Sequence, residues 1–379
     1  MPEMRADQIA QEAIDAIKNK IANLNTLNII VAGKTGVGKS TLINAVFKDK
    51  LAETGMGKPV TTHMRKITKP GVPLAIYDTR GFELGREVQN EVKQEVIKTI
   101  KEGLACKDIN KAIHCIWYCI NTASNRIEPE EIQWLKELSK ENHATQVPII
   151  VILTQSFSKK KAQEMRQILL NENLDVIQVI PVLAEDYEIE GLGVAKAYGL
   201  DVLIHVMAQV LPDELMDAFM HMQIANLDEK KRRAQAAVLT AASAAAGIGA
   251  TPIPIADCAL LIPTQVSMIA AITVLFGFDI TTSTLATLLS SVLGSGGATL
   301  LGKAVVTSIF KLIPGAGQVV GGVISASTAS VITIALGEAY IGVMELIFKG
   351  DMKLDDLGTA KGREAMSKLF KQSLKGKNK

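Results

Sequence analysis

Between residues 27 and 212, short unbroken apolar runs alternate with stretches whose apolar positions recur at helical spacing. The runs predict strands at 28–32, 64–68, 74–78, 112–120, 149–154 and 176–182, with helices near 40–48, 87–103, 128–142, 159–171 and 199–210. The central runs are apolar throughout, as strands covered on both faces are. This order predicts a mostly parallel sheet with helices on both sides. Ahead of it, Ile9, Ala13, Ile14, Ile17 and Ile21 mark an amphipathic helix over 5–24. Its apolar face suits a neighbouring domain or, alternatively, a membrane interface.

The pattern changes after Pro212. Residues 213–233 read as one charged amphipathic helix ending in Glu229-Lys230-Lys231-Arg232-Arg233. From there to about 348 the chain is rich in small and aliphatic residues. Ala234 to Ala250 carries no charge, Ile255 to Phe278 carries only Asp257, and 304–337 carries only Lys311. Such runs reach bilayer-spanning length, yet Pro252, Pro254, Pro263, Gly294 to Gly297 and Pro314 interrupt them. Small residues serve close helix packing in a water-soluble bundle and in lipid alike. The expected division is an N-terminal helix at 1–26, an α/β domain at 27–212 and an all-α domain at 213–379.

Gly33-Lys34-Thr35-Gly36-Val37-Gly38-Lys39-Ser40 matches G-x-x-x-x-G-K-[ST] between a predicted strand and a predicted helix, where a phosphate loop must sit. Glycines 33, 36 and 38 allow backbone N–H groups to approach phosphates, with Val37 and Thr41 in the same turn. Lys39 supplies a cation, and the Ser40 hydroxyl can ligate Mg²⁺. Leu74 to Gly81 is an apolar strand ending in D-x-x-G. Asp78 at that strand end can hold Mg²⁺ through water, and the Gly81 N–H can meet a γ-phosphate. Between these motifs, Thr61 or Thr62 would complete the Mg²⁺ shell.

These motifs resemble those of the translation-factor-related class of GTPases, in particular the Era-like and immunity-related branches. The resemblance covers roughly 27–212 and implies binding of GTP or GDP with Mg²⁺. It also implies a base-reading loop after the strand at 149–154, where Thr154 fits, Gln155 replaces a lysine and Phe157 replaces the aspartate that reads guanine. Glu185 or Asp186 is the candidate substitute, and the Ala184 N–H would meet the base. Phe82 stands where many such enzymes carry a water-orienting glutamine, which implies slow hydrolysis with a catalytic group supplied from elsewhere; Arg80 and Arg86 flank that position. Residues 230–350 resemble an uncharacterised helical domain fused to bacterial GTPases.

The remaining features narrow the reading. A net charge of +2 over 379 residues gives no reason to expect nucleic-acid binding. The charged N-terminus is unlike a signal peptide, and Cys106, Cys115, Cys119 and Cys258 lack metal-site spacing, so the expected setting is a reducing cytoplasm. From Thr359 onward seven cations face one acid, and Met366, Leu369, Phe370 and Leu374 share a helical face, which suits either a peripheral contact with an anionic membrane or a solvated basic tail. The expected function is a GTPase switch controlling the helical domain, at a membrane or through homodimers or larger assemblies of the α/β domain. The alternatives are a non-catalytic nucleotide-binding scaffold and an RNA or ribosome-assembly GTPase.

Overall fold

The computed structural model describes residues 6–48, 56–79, 86–124, 126–189, 191, 193–248, 253–254, 261–293, 323–324 and 326–375. The chain forms two compact units, one of Leu24–Asn226 and one joining Met1–Asn23 to Leu227–Lys379. The N-terminal helix α1, Ala6–Ala22, thus belongs with the C-terminal helices.

In the first unit a seven-stranded sheet has the order β2-β3-β4-β1-β5-β6-β7. The central strand β1, Leu27–Ala32, pairs in parallel with β4, Leu74–Thr79, and β5, Cys115–Asn121. Parallel pairing continues through β6, Ile149–Thr154, to β7, Gln178–Pro181. Only β2, Met56–Pro59, and β3, Met64–Thr68, run antiparallel to their neighbours. Five parallel strands therefore end on one edge, on either side of the reversal at β1, where α/β sheets form their ligand crevice.

Helices α2 (Lys39–Val46), α3 (Arg86–Ala105), α4 (Pro129–Asn142), α5 (Lys159–Asn171) and α6 (Leu200–Val210) follow their strands. The sheet is buried on both faces, as its all-apolar strands require. Consecutive residues of β5 show this: Trp117 stacks on Phe47, with ring centroids 5.8 Å apart, while Tyr118 packs on Trp134 on the other face at 5.1 Å. A small hairpin of β8, Tyr187–Ile189, and β9, Gly193–Ala195, lies outside the sheet.

The helix expected at 213–233 is two helices, α7 (Asp213–Met222) and α8 (Leu227–Ile248). Gln223 makes the break. Its side-chain oxygen accepts from the N–H groups of Ala225 and Asn226, both at 2.9 Å, and its amide nitrogen donates to the Asn226 carbonyl at 2.8 Å. Around it, Lys48 N–H donates to Met222 O and Ile224 N–H to Val46 O, stitching α7 to the end of α2. The compact α/β unit thus extends to Asn226, and α1 has its core with the C-terminal helices.

That core is the helical unit: α1 with α8, α9 (Ile262–Phe276), α10 (Thr282–Leu293), α11 (Ala326–Phe348) and α12 (Ala360–Lys375). The two-residue strands β10, Ile253–Pro254, and β11, Val323–Ile324, pair antiparallel. Ile9, Ala10, Ala13, Ile14 and Ile17 of α1 are buried, packed on α9 and α10. Small residues bring helices close: a Cβ on Gly337 of α11 would lie 2.5 Å from Val238 Cγ2 of α8. The buried ammonium of Lys230 donates to the carbonyl of Leu275, at 2.7 Å, and to that of Phe276, satisfying free acceptors at the C-terminus of α9.

Among the described residues, α11 alone is long and apolar enough to cross a membrane, and half of its most apolar stretch is buried inside the protein. The apolar face of α12 is likewise occupied, because Met366, Phe370 and Leu374 are buried. The apolar side of α12 thus belongs to the bundle, which leaves the exposed Arg363, Lys368, Lys371 and Lys375 as its outward face. Most of the proline and glycine motifs between 249 and 322 lie outside the described residues.

Candidate functional site

The turn after β1 is built around three glycines with positive φ: Gly33 at 139°, Gly36 at 77° and Gly38 at 95°. Gly33 is required twice over, by this backbone and by space, since a Cβ there would sit 2.4 Å from the Cys119 carbonyl oxygen. Gly38 leads into α2, so Lys39, Ser40 and Thr41 form the first turn of the helix and present its unpaired N–H groups. Lys39 folds back over the loop, its Nζ donating to the carbonyls of Gly33 at 2.8 Å and Lys34 at 3.0 Å. Lys34 reaches outward to Glu131 of α4 at 3.4 Å, while Thr35, Gly36 and Ser40 are exposed.

The neighbouring strand ends converge here. Asp78 on β4 stands in register with Val31, two residues before the loop begins, and lies 3.7 Å from the guanidinium of Arg65 across the β3–β4 pair. Burial pushes the Cys119 thiol on β5 up to about 12, with Lys39 lowering it and Asp78 raising it, so both charges are felt at this strand end. Cys115 is raised for the same reason, and neither buried thiol is a nucleophile. Gly81, with Arg80 and Phe82, lies outside the described residues.

The loop after β6 grips the phosphate loop. The Thr154 hydroxyl donates to the Val37 carbonyl, and the Gln155 amide donates to the Gly36 carbonyl at 3.1 Å. Gln155, standing where the resemblance expects a lysine, thus ties the two loops together from a left-handed backbone at φ 51°. Thr122 donates to the carbonyls of Thr154 and Gln155 from the adjoining turn. Ser156 N–H donates to Val182 O at 3.1 Å, and Tyr198 donates to Ser156 O at 2.9 Å, joining this loop to the one carrying Ala184.

Phe157 is no substitute for a carboxylate; its ring packs against Tyr187, centroids 4.5 Å apart. Of the two candidate acids, Asp186 is taken. Lys196 at 2.6 Å and the Ala197 N–H at 2.8 Å bind its carboxylate, and the Lys196 bond holds its pKa below the usual range. Glu185 is exposed beside Ala184. The hairpin that orders Asp186 was not foreseen, because three-residue strands around Gly191 and Gly193 leave too short a pattern to read.

Thr61 and Thr62 differ. The Thr61 hydroxyl donates to the Glu95 carboxylate on α3, whereas Thr62 is exposed. Glu95 and Glu131 were absent from the sequence reading, since each is one acid among many on a helix surface until the fold shows what it meets.

The residues present fit a nucleoside phosphate and its metal. An exposed glycine turn with no room for a side chain at Gly33 meets a helix N-terminus. Lys39 supplies a cation for phosphate oxygens, while the Ser40 hydroxyl and the Asp78 carboxylate at the same strand edge are hard-oxygen donors that suit Mg²⁺.

Comparison with known proteins agrees with this geometry. Residues 28–155 match the family described as 50S ribosome-binding GTPase, and residues 214–376 match a domain of unknown function, DUF697. Septin-9 of Rattus norvegicus is 32% identical over 138 residues, which cover 30% of this chain and 24% of that protein. Cell division control protein 10 of Candida albicans is 30% identical over 190 residues, covering 43% of this chain and 52% of that one. The chain thus spans about a quarter to a half of these relatives. Among solved structures, Toc33 from Arabidopsis thaliana aligns over 58% of this chain and 93% of its own, at 15% identity and a TM-score of 0.32. The chain is thus similar to a GTPase family over residues 28–155 and to DUF697 over residues 214–376.

Proposed function

We propose that the protein is a guanine-nucleotide switch with slow intrinsic GTP hydrolysis, whose bound nucleotide controls the helical unit. The observation that carries this reading is the pinned phosphate loop, with Lys39 over its carbonyls and Thr154 and Gln155 holding it from β6. Lys39 and the first turn of α2 bind the phosphates, Ser40 and Asp78 hold Mg²⁺, and Thr61 or Thr62 with Gly81 senses the γ-phosphate. Magnesium supplies charge neutralisation between the phosphates when bound. The segments near 54–63 and 79–87 are the ones a γ-phosphate and Mg²⁺ would hold, and any surface that prefers the held state gains affinity.

Phe82 cannot orient water, so hydrolysis draws its catalytic group from elsewhere, and self-association through the α/β unit is one source. Peripheral contact with an anionic surface rests on the exposed cations of α12. A second reading, a nucleotide-binding scaffold without turnover, is favoured by Phe157 standing in an aromatic contact where a base-reading carboxylate is expected.

Side-by-side titrations with GTP and ATP in Mg²⁺, following affinity and phosphate release, separate these readings. GTP preference with slow release supports the switch. Binding without release at any protein concentration supports the scaffold, and equal affinity for both nucleotides removes the guanine assignment. Lys39→Ala should abolish binding, and retained binding would sink the phosphate-loop assignment.

A further inference from the structure

One face of α3 is devoted to the loop that carries Thr61. Glu91, Glu95 and Thr99 lie at successive four-residue intervals and so share that face. Thr99 meets the sulfur of Met64 at 3.8 Å. Glu95 gathers the Thr61 hydroxyl and the His63 N–H on one carboxylate oxygen, the latter at 3.0 Å, and holds the His63 ring nitrogen Nδ1 at 3.3 Å with the other. Glu91 stands 3.8 Å from the opposite ring nitrogen. The loop itself is closed, since the N–H groups of Val60 and Thr61 both donate to the Met64 carbonyl. Two donors, the Thr61 hydroxyl and the His63 N–H, on a single partly buried carboxylate form a strong local tie, because hydrogen bonds to an ionised group are roughly twice as strong as neutral ones.

We infer that Glu95 is a latch that holds the Thr61 loop on α3 and so sets the discrimination between nucleoside triphosphate and diphosphate. The inference rests on the switch reading above, in which Thr61 or Thr62 is recruited when a γ-phosphate and Mg²⁺ are present. In this structure Thr61 is committed to α3, the helix that begins where the 79–87 loop ends. Drawing either threonine to the nucleotide pulls against the contacts of Thr61 and His63 with Glu95. A diphosphate makes no such demand. The latch therefore opposes the triphosphate alone. Glu95 is a positioning residue in this scheme and touches no nucleotide.

Titration of the full chain with GDP and with a non-hydrolysable GTP analogue, in Mg²⁺, tests this in the parent, Glu95→Ala and Glu95→Gln. Glu95→Ala should bind the triphosphate analogue about tenfold more tightly with GDP affinity unchanged, the effect of removing one charged hydrogen bond from the competing state. Glu95→Gln retains an acceptor for the Thr61 hydroxyl and the His63 N–H and should shift the ratio less. A merely structural role would weaken both nucleotides or neither. An unchanged ratio, or one shifted toward GDP in Glu95→Ala, overturns the latch while leaving the switch intact. A parent protein that binds neither nucleotide overturns the switch and the latch with it.

Discussion

His114 shows how much one buried side chain can set at the residue scale. It sits just before β5, with Nδ1 accepting the Asn28 N–H at 2.9 Å and Nε2 directed at the Ile109 carbonyl at 2.9 Å, an arrangement that fits a neutral ring with its proton on Nε2. Burial lowers its pKa from 6.5 to about 4, outweighing the hydrogen bonds that act the other way. The folded state therefore resists a proton that the unfolded chain accepts below pH 6.5. Stability from this group is complete above that pH and is lost as pH falls toward 4, by about 3 kcal/mol at the lower end. Denaturant unfolding at pH 7, 5.5 and 4 should show this loss in the parent. His114→Gln, which keeps one acceptor and one donor, should lose correspondingly less over the same interval; equal slopes would show that other groups carry the pH dependence.

At the scale of elements, the strand and helix pattern of the α/β unit was legible because both of its periods are strong. Fully buried parallel strands read as continuous apolar runs, and their helices carry clear apolar stripes. The edge strand β2 and the β8–β9 hairpin were not legible, being short and stabilised by a partner strand rather than by a pattern of their own. The phosphate loop, Asp78 and Thr154 could be named from sequence because each stands at a strand end. Glu95 and Glu131 could not, because the residues they meet are remote in the chain. The same holds in the helical half, where Ala, Gly, Ser and Thr gave a composition but no partner. The structure supplies one in Gly337, whose missing side chain leaves room for Val238 and Met268. Gly337→Val puts methyl-bearing carbon into that contact and should destabilise the chain by about 1–3 kcal/mol through overpacking, offset in part by better helix propensity than glycine. Chemical denaturation of the parent and variant measures the difference, and a stability gain would mean that α8 and α11 can separate without loss.

The whole molecule is organised by two crossings of the backbone, at Asn23–Leu24 and at Asn226–Leu227. The α/β unit is thereby inserted between α1 and the helices that α1 packs on. Helix α2 starts at Lys39, at the end of the glycine turn, and ends beside Phe47, which bridges to Gln223. The Gln223 turn in turn fixes the last residues before Leu227. Within the α/β unit, α2 thus links the phosphate loop at one end to the Gln223 turn at the other. Calorimetry of the full chain should resolve two transitions, because each unit has its own core. GDP with Mg²⁺ at a hundred times its Kd should stabilise the α/β transition by about 2.7 kcal/mol and leave the helical one in place. The triphosphate analogue should move both, since coupling of nucleotide state to the helical unit requires a differential interaction free energy. If the helical transition stays fixed with either nucleotide, α2 and the Gln223 turn transmit nothing, and control of the helical unit must depend on a partner that reads the α/β unit directly.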